Sequence, residues 1–168
     1  MSYISFDPRE DIRQTISISY DVDGDMVDES CVTFTLPCGD YKGDIEYVPL
    51  LYPWEARTGE LPFMPMIEMT LVDCPGSVHN VSGDVRFDEA YVDFHIYVAN
   101  SDRVSCVSLW AKTCKNVLVD KLMSYRHTVS GCTWVEPIGL GREIVEQNGK
   151  QVVFHYVVSV YSYIYQNG

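Results

Sequence analysis

The chain has 168 residues, 46% of them hydrophobic and 12% aromatic, which suits one folded domain with a sizeable core and lies far from disorder. Twenty-four acidic against twelve basic residues leave a formal charge of -12; this argues against nucleic-acid binding, which draws its affinity from Lys and Arg, and is the wrong sign for anionic membranes. No apolar run reaches the eighteen residues of a membrane helix, and the opening MSYISFDPRED lacks the basic start and apolar stretch of a signal peptide, so a chain that is intracellular when made is expected.

Asp7-Pro8-Arg9-Glu10 has the character of a capping box and predicts one or two turns of helix. Ile16, Ile18, Tyr20 and Val22 then alternate, as do positions from Cys31 to Leu36, with Asp23-Gly24 marking a turn. The stretch from Gly39 to Pro62, rich in Pro and Tyr and carrying Trp54, is expected to form an irregular excursion or arm. A strand is predicted from about Met64 to Val72, bounded by Pro62, Pro65 and Pro75, and the following CPGSVHNVSGD is expected to be a turn-rich loop. In the next strand, Ala90 to Val98, residues Ala90, Val92, Phe94, Ile96 and Val98 share one face; Tyr91, Asp93, His95 and Tyr97 share the other.

The segment from about Ser101 to Tyr125 predicts one long amphipathic helix. Val104, Val107, Trp110, Ala111, Cys114, Val117, Leu118, Lys121, Leu122 and Tyr125 repeat at helical spacing, leaving Lys112, Lys115, Asn116 and Asp120 outside. Ser101 or Asn100 would cap its start. After it, Asn148-Gly149 joins REIVEQ to KQVVFHYVVSVYSYIYQ, and Asn-Gly is the preferred central pair of a type I′ hairpin turn. Fourteen or so residues of the last strand would span roughly 46 Å, longer than usual, with both faces apolar or aromatic. Such a strand asks for a partner surface. The fold class expected is α+β: a mostly antiparallel sheet with the helix of about 101–125 packed on one face and a C-terminal β-hairpin. No linker or internal repeat divides residues 1–168, so a single domain is expected, with a strand-rich and irregular part, 1–62, before an α/β core, 63–168.

The motifs that would carry chemistry are absent or incomplete. Asp21-Val-Asp-Gly-Asp25 resembles the opening of a calcium loop, but Gly24 stands fourth rather than sixth and Val32 occupies the twelfth position, so an acidic turn is the better reading. His79, His95, His127 and His155 show no metal-ligand spacing, although His95 and His155 lie on predicted strands and could meet in space. Gly139-Leu-Gly141-Arg142 lacks the Lys and Ser/Thr of a phosphate loop, no serine or cysteine stands in a nucleophile signature, and Asp28-Glu29 and Asp88-Glu89 read as solvated turn residues. Cys31, Cys38, Cys74, Cys106, Cys114 and Cys132 include no C-x-x-C, and free, mostly buried thiols are expected. No catalytic residue, metal or cofactor is assigned. The residues singled out are Tyr161, Tyr163 and Tyr165, on one strand face near the chain's end, together with Val157. Tyrosine joins large contact area to a polar tip, so an oligomer interface is expected there.

The order of strand, loop, strand, long helix and closing hairpin over residues 63–168, in the text AYVDFHIYVANSD, VSLWAKTCKNVLVDKLMSYR and VVFHYVVSVYSYIY, resembles the tail terminator, or tail-completion, proteins of long-tailed bacterial and archaeal viruses. The resemblance implies a ring, usually of six copies, at the head-proximal end of the tail. Such a ring ends tube polymerisation, joins the tail-tube protein to the head-completion or connector protein, and has no active site. It further implies a virion protein of the neck, made in the host cytoplasm, through which DNA passes without specific binding. The family commonly opens with a longer helix, whereas here about fifty strand-like and irregular residues intervene; another neck or tail-tube component, or a non-viral ligand-binding or adaptor domain, shares the pattern. An enzyme built on noncontiguous residues around His95 and His155 is the third reading. Truncation after Ser159 is expected to disturb assembly more than folding.

Overall fold

The first helix forms where the sequence supplies a cap. The Asp7 carboxylate accepts the backbone N–H of Arg9 at 3.0 Å, Pro8 stands at the N-cap, and α1 runs from Arg9 to Ile16, two turns, as Asp7-Pro8-Arg9-Glu10 predicts. Residues 7–56, 65–79, 85–99, 106–125, 133–137, 142–148 and 151–167 are those described in the computed structural model. Within them the remaining elements are β1 (Ile18–Tyr20), β2 (Glu29–Thr35), β3 (Ile45–Leu51), α2 (Pro53–Ala56), β4 (Met66–His79), β5 (Val85–Ala99), α3 (Val107–Tyr125), β6 (Thr133–Pro137), β7 (Arg142–Asn148) and β8 (Gln151–Asn167). The fold is α+β. Its strands lie in the order β1-β2-β3-β4-β5-β8-β6, with β7 also on β8, and every pairing is antiparallel except β3 with β4.

Several expectations are corrected. Gly39 to Pro62 is not an irregular arm throughout: β3 and α2 lie inside it. Proline had argued against a strand, yet Pro49 pairs only with Cys31 of β2, while β4 engages β3 at Leu50 and Leu51 alone. The missing N–H therefore falls where β3 has no second partner strand. The loop expected over CPGSVHNVSGD is also partly strand, since β4 continues to His79. Its register shifts between Asp73 and Gly76, so Cys74 and Pro75 bulge out of the ladder, which is how an extended pair accommodates proline. Asp88 and Glu89 consequently lie in β5 rather than in a turn.

The long helix starts at Val107, not near Ser101. Cys106 is outside it, its C=O accepts the N–H of Trp110 at 2.9 Å, and its side chain forms a disulfide with Cys38, Cα to Cα 6.4 Å. That bridge overturns the expectation of free thiols throughout. It holds the start of α3 against the turn after β2, a meeting of residues 68 apart in sequence that spacing could not reveal. Cys31 and Cys114 are free and buried. The expected caps Asn100 and Ser101 lie outside the described residues, as does Cys132. In the closing hairpin Asn148 pairs with Gln151, so the connection is residues 149–150, one position later than the expected Asn148-Gly149.

The helical spacing in α3 is reflected in its burial: Val107, Trp110, Ala111, Cys114, Leu118 and Leu122 are buried, and Lys112, Asn116 and Asp120 are exposed. That stripe, with Ile12 of α1, packs on Val92, Phe94, Ile96 and Val98 of β5 and on Val158 and Val160 of β8. Val32, Phe34, Val48 and Leu50 from the first half of the chain belong to the same cluster, and Trp110 meets Phe34 edge to face at 5.8 Å. One core joins residues on both sides of the expected division at residue 62.

Candidate functional site

Alternation along β5 and β8 sends one set of side chains to α3 and the other set to the opposite face of the sheet. The two strands pair without interruption from Val85↔Asn167 to Ala99↔Val153. On the face turned from α3, directly opposed residues are Tyr97 and His155, His95 and Val157, Asp93 and Ser159, and Tyr91 and Tyr161. Glu68 and Thr70 of β4 stand opposite His95 and Asp93 on the other flank. Apart from buried His155, these side chains are half-buried in a single chain.

Contacts across this face are specific. Ser159 Oγ donates to Asp93 Oδ1 at 2.7 Å, Tyr91 and Tyr161 rings lie 5.2 Å apart, and Tyr97 stacks on His155 at 4.3 Å. His95 Nδ1 lies 2.8 Å from His155 Nε2. Burial holds the His95 pKa below its ordinary value and the neighbouring His155 adds to that, against an upward pull from Asp93 and Glu68. At one end Leu51 and Met66 are buried with Tyr97 against them, a small apolar patch apart from the main core.

The structure thus brings together the two histidines that the sequence could only place on separate strands. It places Val157 beside His95 and Tyr161 beside Tyr91. Tyr163 and Tyr165 hold the same parity on β8, paired with Glu89 and Phe87 of β5, but their side chains lie outside the described residues. Glu68, Asp93–Ser159 and the Leu51–Met66 patch had no sequence signal, because cross-strand register decides which residues become neighbours. Register also changes what a truncation would do. Cutting after Ser159 removes Val160, which is wholly buried in the core, and every residue with which β6 pairs. It would damage the monomer itself, so substitution is the cleaner probe of the tyrosines.

Elsewhere, the acidic segment behaves as a turn. Asp21 accepts the N–H groups of Gly24 and Met26 at 2.8 Å each, and Glu29 accepts that of Val22 at 3.1 Å. One oxygen each of Asp21, Asp23 and Glu29 come within 4.8 Å of one another, as carboxylates capping one turn will. Neither free thiol described is a ready nucleophile: burial, with Glu29 and Asp28 nearby, pushes Cys31 up to about 12, and burial also pushes Cys114 well up. A surface groove of about 570 Å3 between the end of α1 and α3 is lined by Ile16, Ile18, Val117, Asp120 and Lys121 among others. His79 lies on β4 with its side chain outside the described residues, while His127 and residues 138–141 lie outside them altogether. Among the described residues no helix is long and apolar enough to cross a membrane.

No protein-family model matches the chain, and no curated protein matches it significantly.

Proposed function

We propose that the protein is a structural component of a tailed-virus particle, acting through assembly geometry rather than catalysis. In this reading it forms a ring, of six copies by the tail-terminator resemblance, at the head-proximal end of the tail, where it ends tube growth and meets the head connector. The observation that carries the reading is the face of β4, β5 and β8 turned away from α3. It joins half-buried tyrosines to polar pairs such as Asp93 with Ser159, the mixture of aromatic anchor and satisfied polar group found at protein contacts. The long, uninterrupted β5–β8 ladder gives that face rigidity, so little ordering cost is added on association.

Light scattering of the purified protein, with negative-stain images of the same fraction, tests this. A closed ring with a central hole is expected; a monomer returns the ligand-binding reading to equal standing, since such rings can form only on a finished tube, and failure to form a ring on purified tail tubes as well overturns the reading. A second reading, a ligand-binding domain, is favoured by one observation, the convergence of His95 and His155.

A further inference from the structure

Two imidazole nitrogens that converge at 2.8 Å, from directly neighbouring strands, can share a proton or share a metal. His95 Nδ1 and His155 Nε2 do so on the sheet face turned away from α3. A metal with nitrogen bonds of about 2.0–2.1 Å and roughly tetrahedral angles holds its ligand nitrogens about 3.3 Å apart, so the rings need part by only about half an ångström. Glu68 stands directly across the β4–β5 ladder from His95, a position whose side chains lie within reach of one another. Its carboxylate accepts from Thr70 Oγ1 at 3.4 Å and does not lie within 4.8 Å of both ring nitrogens, so binding would require it to turn from Thr70 toward the pair. All three positions sit on strands inside the sheet, the rigid placement that a ligand set requires.

We propose that His95 and His155, with Glu68 as third donor, form a site for a late first-row divalent transition metal such as zinc. Two imidazoles and one carboxylate select that class over magnesium or calcium, which take all-oxygen ligands. Both rings bind as neutral imidazoles. The proton now between them moves to the far nitrogen of the ring that carries it, so above the histidine titration range binding releases none, and below that range protons compete with the metal. The remaining coordination positions are left for water, or for a group on whatever meets this face. The chain's net charge of -12 raises the local cation concentration. The proposal does not rest on the ring reading, and either can fail alone.

Zinc titration of the full chain by isothermal calorimetry tests it, in parallel with magnesium and calcium. One zinc per chain at micromolar affinity is expected, weakened on the order of tenfold or more by His95→Gln and less by Glu68→Gln. Asp21→Asn with Asp23→Asn should leave it unchanged. Because His95→Gln keeps a half-buried polar side chain, the variant is expected to fold; imidazole 15N shifts of His95 and His155 that move on zinc addition provide a readout a merely structural pair would not give. Unchanged affinity in His95→Gln overturns the proposal. So does loss of binding in the Asp21/Asp23 variant, equal affinity for calcium, or no zinc binding at all.

Discussion

At His95 burial and charge oppose one another, and burial dominates. Taking the ring out of water disfavours its protonated form and His155 beside it adds to this, while Asp93 and Glu68 pull the other way. A folded-state pKa below the ordinary 6.5 means the unfolded chain binds the proton more readily. His95 therefore contributes stability that is fully present above pH 6.5 and is lost as pH falls through that value toward the folded pKa. Asp7 and Glu10 act in a lower window. Burial raises the Asp7 pKa but its bonds from Arg9 outweigh that, and the Tyr52 hydroxyl leads in lowering Glu10; their contributions are complete above their ordinary 3.8 and 4.5 and fade below. Denaturant midpoints between pH 8 and pH 5 should fall in the native chain and flatten in His95→Gln; equal slopes would exclude His95 as the cause. Met26 conflicts with its backbone. It is 94% exposed and has φ 67°, a left-handed conformation costly for any residue with a side chain beyond Cα. Met26→Gly is expected to raise stability by about 0.5–1 kcal/mol in thermal unfolding; a decrease would show that the side chain makes a contact worth more than the strain.

Among the elements, α3 and β8 were the most legible, because hydrophobic period alone distinguishes a helix face from an alternating strand. Their ends were not. α3 starts one residue after Cys106, which is bridged to Cys38, and closing a loop of 68 residues restricts the unfolded chain by about 4 kcal/mol in the chain-entropy account. Reduction, or Cys38→Ser with Cys106→Ser, should lower the melting temperature by roughly 10 °C; no change on reduction would mean the bridge does not form in solution. In the proposed reading the two faces of β8 separate folding from assembly. Val158 and Val160 are buried beneath α3, while Tyr161 lies half-buried beside Tyr91 on the opposite face. Tyr161→Ser should leave helical circular dichroism intact and reduce the solution mass. Loss of the circular dichroism would place Tyr161 in the fold rather than in a contact.

For the whole molecule, charge gives the firmest expectation. With -12 overall, binding to duplex DNA at physiological salt should be no tighter than about 100 μM, the weak end of nonspecific association. Fluorescence anisotropy with a labelled duplex checks this, and a micromolar dissociation constant would overturn the charge argument. Weak binding is also what a conduit for DNA requires. The strands of the first half extend the sheet through the short parallel contact of β3 with β4, so this half adds breadth to the core rather than an arm. An antiparallel route would have needed only turns; the parallel step brings distant segments together through α2 and the residues after it.

Composition, period and turn residues were enough to read an α+β chain with a mostly antiparallel sheet, the core stripe of α3, the two-sided last strand and the absence of contiguous catalytic motifs, because each of these is a local property of neighbouring residues. The Cys38–Cys106 bridge, the tolerance of Pro49 and Pro75 within strands, and the meeting of His95, His155 and Glu68 are different in kind. Each depends on which residue of one strand or loop stands opposite which residue of another, and a slip of one position would turn every side chain to the other face. Packing of β2, β5, β6 and β8 against α1 and α3 opposes such a slip.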